Sequence, residues 1–167
     1  QDKHGNGYKF DLDGKLLYIT DQYYNRISFE YDPSTGVLVK ATDSLNRSIE
    51  FTYNASHKVT SIRDFTGRVH NYSYVSCNLT THTTPATDEY PEGLTTTYSY
   101  DSQYRVNAVT DPKGQTYVSM DYDAEGRVSH LTYGEGTYSF GYGANVTTLH
   151  DPKGHITFYS LNSDGTV

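Results

Sequence analysis

The chain holds a single cysteine, Cys77, in 167 residues, which leaves no internal disulfide and no cysteine-based zinc site. Cys77 has no patterned partner and reads as inert. Alanine is scarce, at six residues, and Ala-poor chains make few helices, so an all-helical fold is nearly excluded. No stretch reaches 18 apolar residues, and no membrane span is expected. Lys and Arg number 13 against 20 Asp and Glu, with no basic cluster. The charge that would neutralise phosphates is missing, which argues against a nucleic-acid partner. The opening Gln1–Asn6 segment fits neither a signal peptide nor an initiator context, and reads as processed or excised. Leu, Ile, Val and Phe make up only 32 of the 167 residues. With a net charge of −7, that share alone would belong to a disordered chain.

What is present points the other way. There are 18 tyrosines, together with 37 serines and threonines. These residue types fit a pleated, half-buried surface. Aromatic pairs at i, i+2 recur as Tyr8/Phe10, Phe29/Tyr31, Phe51/Tyr53, Tyr72/Tyr74, Tyr98/Tyr100 and Phe140/Tyr142, with Met120/Tyr122 filling the gap. The second members are spaced by 21, 22, 21, 26, 22 and 20 residues. That is a repeat with one insertion, and repeats of this kind stack nearest neighbour on nearest neighbour.

A turn signal arrives at half that period. Asp, two residues, Gly or Asn, then a polar or basic residue occurs at Asp11–Lys15, Asp43–Arg47, Asp64–Arg68, Asp111–Gln115, Asp123–Arg127 and Asp151–His155. Looser copies are Asp21–Arg26, Asp32–Gly36, Asn54–Lys58 and Asp101–Arg105. The first residue is expected to accept backbone N–H groups two or three positions on. Gly67, Gly114, Gly126 and Gly154 supply the φ > 0 that a tight hairpin needs. Asp43, Asp64, Asp111, Asp123 and Asp151 are thus read as structural turn residues. The expectation is an all-β, antiparallel hairpin array of roughly 14 short strands, spiralling or solenoid-like. It runs over 1–167 as a single array, with an irregular insertion near 76–88 where Pro85 and threonines break the alternation.

The segments Phe51-Thr52-Tyr53-Asn54, Asp64-Phe65-Thr66-Gly67-Arg68, Tyr98-Ser99-Tyr100-Asp101, Thr110-Asp111-Pro112-Lys113-Gly114 and Tyr122–Val128 resemble tyrosine-aspartate (YD) repeats of the Rhs type. The resemblance covers about Tyr8 to Gly165. It implies a β-sheet that spirals into a hollow shell, as in bacterial Rhs and toxin-complex proteins, where the shell encloses a toxic domain, and as in the related barrel of teneurins. The family's self-cleavage motif, Pro-x-x-x-x-Asp-Pro-x-Gly-Leu, is matched at Asp111–Gly114 and Asp151–Gly154 only in its Asp-Pro-x-Gly part. Neither copy is followed by leucine, so both read as turns. A complete shell needs more strands, so the chain is expected to be a fragment of a larger chain or a repeating protomer.

Candidate chemistry is sparse. His4, His57, His70, His82, His130, His150 and His155 are scattered. His150, Asp151 and His155 are the one trio with metal-ligand potential, but His155 also occupies the slot held by Arg47, Arg68 and Gln115. Asp88, Glu89 and Glu92 form an acidic cluster of the kind glycoside hydrolysis needs, and also of the kind any solvated loop carries. Gly134, Gly136, Gly141 and Gly143 precede no helix and mark bulges or close backbone approach rather than a phosphate loop. No catalytic residue, metal or cofactor is assigned. Asn46, Asn54, Asn71, Asn78 and Asn145 each open an Asn-x-Ser/Thr sequon, five among nine asparagines. They are candidate N-glycosylation acceptors, and a Ser/Thr-rich repeat also generates such sequons incidentally.

The expected function is non-enzymatic: a secreted or cell-surface β-shell segment that carries another domain, with other YD repeats, a toxin domain and glycans as partners. The alternatives are a self-assembling fibre or tube built through unprotected strand edges, and a carbohydrate-binding or adhesion surface.

Overall fold

The computed structural model describes residues 5–166. His4, with most of the Gln1–Asn6 segment, lies outside the described residues. Regular structure among them is entirely strand, fifteen in all, one more than the turn spacing implies. The chain divides into two compact units, 5–77 with His82–Leu94, and Asn78–Thr81 with 95–166.

In the first unit β1 (Gly7–Phe10), β2 (Leu16–Thr20), β3 (Arg26–Tyr31), β4 (Leu38–Thr42), β5 (Ser48–Tyr53), β6 (Val59–Arg63) and β7 (Val69–Val75) pair antiparallel in chain order. β8 (Asn78–Thr83) gives its last two residues to this unit and its first four to the second. In the second unit β9 (Thr95–Tyr100), β10 (Val106–Thr110), β11 (Thr116–Tyr122), β12 (Val128–Tyr133), β13 (Gly136–Tyr142), β14 (Val146–His150) and β15 (Ile156–Ser160) follow the same rule.

Period-two alternation gives each unit one apolar and one polar face. In the first unit Phe29 faces Ala41, Ala41 faces Ile49, and Phe51 faces Ile62. In the second, Tyr98 faces Val109, Val109 faces Val118, and Val118 faces Tyr133. On the polar face Glu30, Lys40, Glu50 and Arg63 oppose one another in succession across β3 to β6, so charges alternate along the row. Such pairs favour this register, because sliding one strand would set like charges together or turn its apolar residues to the other face. Each unit is a single layer: among the described residues only Val109 is a buried hydrophobic, at 8% exposure.

The insertion expected near 76–88 resolves differently. Ser76 and Cys77 form a tight turn, and Asn78–Thr83 is strand. The irregular segment lies later, at 84–94, pinned where the Thr84 and Leu94 backbones meet (Thr84 N–H to Leu94 O, 2.9 Å). Threonine is β-branched and extends well, so the threonines of 80–83 continue a strand rather than break one.

Candidate functional site

Most repeat turns share one geometry; the turn at Asp32 is one residue longer, and its Oδ1 accepts the N–H groups of Ser34 and Thr35, two and three residues on. In the turn at Asp64, the Gly67 N–H donates to the Asp64 carbonyl (3.0 Å) and the Asp64 N–H to the Arg68 carbonyl (3.0 Å). The Asp64 Oδ1 accepts the N–H groups of Thr66 and Arg68, two and four residues on, not two or three. The fourth position is left-handed whatever its residue: Gly67, Gly114, Gly126 and Gly154, but also Asn46, His57, Tyr24 and Tyr104. This is a type I turn closed by a G1 bulge. A separate one-residue register shift lies in the ladder beside Phe10, Tyr31, Tyr53 and Tyr122, and none lies beside the turns at Asp43 and Asp64. The Asp21 turn closes on Asn25, one residue earlier than its spacing suggests.

The same aspartates hold the basic residue at the fifth position. Arg Nε to Asp Oδ2 distances are 2.7 Å at Asp43–Arg47, 2.8 Å at Asp64–Arg68, 2.7 Å at Asp101–Arg105 and 2.8 Å at Asp123–Arg127. The Arg47 side chain, followed by its backbone N–H, holds the Asp43 carboxyl below the usual carboxylate range. Asp151 is lowered likewise, first by His155. The His155 Nδ1 lies 2.8 Å from Asp151 Oδ2, in the place of the arginine Nε, so His155 is a turn residue. Among the described residues no three His, Cys, Asp or Glu side chains are grouped to hold a metal.

A coupling between successive repeats has no counterpart among the sequence expectations. The hydroxyl of Tyr31 donates to the Leu16 carbonyl (2.9 Å), Tyr53 to Leu38 (2.6 Å), Tyr100 to Leu79 (2.8 Å), Tyr122 to Val106 (2.6 Å) and Tyr142 to Val128 (2.7 Å). Each acceptor is the first or second residue of its strand. The basic turn residue lies over the same ring: Lys15 on Tyr31 (5.6 Å), Arg105 on Tyr122 (4.2 Å) and Arg127 on Tyr142 (4.3 Å). Aspartate therefore orients arginine, arginine covers the next tyrosine, and that tyrosine ties down the strand beginning after the arginine. The signal was present, as Tyr-Asp and Arg-Val dipeptides in phase, but their partnership needs the strand register.

The remaining candidates are dispersed. Asn46, Asn71 and Asn145 are exposed, whereas Asn78 is half-buried. Asn54 uses its Oδ1 to accept the Ser56 and Lys58 N–H groups of its own turn. Asp88, Glu89 and Glu92 are all exposed in the 84–94 segment, and Cys77 is exposed. Gly136 and Gly141 sit where a Cβ would come within 2.8 Å of Pro152 and 2.5 Å of Thr148. Asp111 and Gly114 occupy the first and fourth positions of their turn, as do Asp123 with Gly126 and Asp151 with Gly154. On the apolar face His70 Nδ1 lies 2.9 Å from His82 Nε2, a contact with no sequence signal of its own.

A model of the RHS Repeat family matches residues 78–116. No curated protein matches the chain. Among solved structures it is similar to TcdB2-TccC3-Cdc42 (TM-score 0.68, 18% identity, 94% of this chain and 10% of that one) and to TcdB2-TccC3-TEV (TM-score 0.71, 16% identity, 96% and 10%). It is also similar to a TccC3-mutant Tc holotoxin pore of Photorhabdus luminescens (TM-score 0.51, 13% identity, 96% and 12%). The chain thus spans about a tenth of the length of these chains. Residues 78–116 match the RHS repeat, and the chain shares its fold with part of the TcdB2-TccC3 chains.

Proposed function

We propose that this chain is a non-enzymatic wall segment of a secreted or cell-surface YD-repeat shell, a single repeat array that carries another domain of a larger assembly. The observation that carries the reading is the uncovered apolar face. Leu, Ile, Val, Phe and Tyr side chains line one face of each unit, yet only Val109 among the described hydrophobics is buried. A single sheet with one apolar face is stable when something lies against that face. The likeness to TcdB2-TccC3 folds supports a wall, and the turns supply its polar rims. Electron microscopy of the native particle tests this. The expected image is a closed particle built from one long chain, with density inside the wall. A regular filament would overturn it and favour the fibre reading, which β15, exposed along its full length, supports.

A further inference from the structure

Two apolar-face positions recur along the chain. Three residues after the carbonyl that receives the repeat tyrosine, at Leu16, Leu38, Leu79, Val106 and Val128, stand Ile19, Ala41, His82, Val109 and Leu131. Two residues before the first member of each pair after Tyr8/Phe10 stand Ile27, Ile49, His70, Thr96, Val118 and Tyr138. Only β7 and β8 place histidine there, and the two rings meet. Nδ1 of His70 lies 2.9 Å from Nε2 of His82, with the ring planes 11° apart. The Tyr72 ring lies 5.1 Å from the His82 ring and 18° from parallel. Both histidines are half-buried. An aliphatic pair, as other repeats use, would cover the same surface without desolvating two imidazoles.

We propose that His70 and His82 form a two-histidine chelate for a divalent transition metal, Cu²⁺ in preference to Ni²⁺ or Zn²⁺, with water completing the coordination. The preference follows the Irving–Williams order, in which an imidazole site holds Cu²⁺ above both Ni²⁺ and Zn²⁺. The 2.9 Å between the nitrogens is a hydrogen bond, and binding turns the rings about χ2 so that both lone pairs reach one metal. The hydrogen held between the rings passes through solvent to the outer nitrogen of the ring that carried it, so two neutral rings bind without net proton release.

The test uses the chain without a polyhistidine tag, titrated calorimetrically with CuCl₂, NiCl₂ or ZnCl₂ alone at neutral pH. Tight binding of one Cu²⁺ is expected. His70→Ile and His82→Val, which install residues other repeats carry, should each weaken it at least about tenfold, the loss that even a supporting residue of a metal site causes. His130→Gln should leave it unchanged. Unaltered affinity in either of the first two variants would overturn the proposal. Electron paramagnetic resonance of the Cu²⁺-loaded wild-type chain needs no variant to fold: two equatorial imidazole nitrogens support the chelate, and one or none overturns it. Tighter binding of Zn²⁺ or Ni²⁺ than of Cu²⁺ would overturn the stated preference.

Discussion

Gly93 and Gly67 separate two costs that usually arrive together. Both belong to the first unit and both are left-handed, with φ of 73° and 88°. A Cβ at Gly67 meets nothing within 4 Å, whereas one at Gly93 falls 2.1 Å from the Thr84 carbonyl oxygen and 3.1 Å from the Thr83 methyl. Ordinary C···O contact begins near about 3.3 Å, so roughly 1.2 Å of movement is needed. Thr84 cannot easily yield it. Its N–H donates to the Leu94 carbonyl, and its hydroxyl accepts the Leu94 N–H, both at 2.9 Å. Gly67→Ala should therefore cost only the left-handed penalty, about 1 kcal/mol. Gly93→Ala should add about 1–3 kcal/mol of overpacking, for a total of about 2–4 kcal/mol. Urea unfolding followed by far-UV circular dichroism reads the difference as a lower midpoint at unchanged slope. If Gly93→Ala proves no worse than Gly67→Ala, the contact with Thr84 does not constrain the 84–94 segment and the reasoning fails.

Tyr122→Phe removes the 2.6 Å hydrogen bond to the Val106 carbonyl and should cost about 1 kcal/mol, read as a urea midpoint shift; no shift would show that water replaces the hydroxyl. Lys40→Glu makes a row of three acidic residues from Glu30 to Glu50, and should destabilise by about 0.2–1 kcal/mol in low salt and less in high salt. A loss that ignores salt would refute the charge argument. The turn aspartates predict the acid limb: Asp43, Asp64, Asp101 and Asp151 are held below the ordinary value of about 3.9 by hydrogen bonds they accept. Their contribution is complete above that value and disappears as pH falls through the lower folded values, so the aspartates' share of thermal stability should hold to about pH 4 and fall below it. Asp101→Asn, which keeps an Oδ1 acceptor as Asn54 does, should flatten that fall; an unchanged profile would count against it.

Most of the architecture was legible in short windows. Phe51-Thr52-Tyr53 shows its faces because side chains alternate every residue, and Asp64 to Arg68 shows its turn because every hydrogen bond in it spans four residues or fewer. The couplings were not legible at that range. Tyr122 is 16 residues from the carbonyl it binds, and Tyr31 is 15 from its own. The 84–94 segment was misplaced toward 76–88 because threonine reads equally as strand and as loop, and only pairing decides between them.

The sequence by itself determined the all-β class, the spacing of the turns and which residues share a face, since each follows from alternation or from local backbone preference. Tertiary structure decided who meets whom. Alternation permits any register shift of two residues, and the turns, with the bulges beside some of them, select one. Pairing sets Arg105 over Tyr122 and, across the Ser76–Cys77 turn, places His70 beside His82 twelve residues away, while closure of the 84–94 segment brings Gly93 against Thr84.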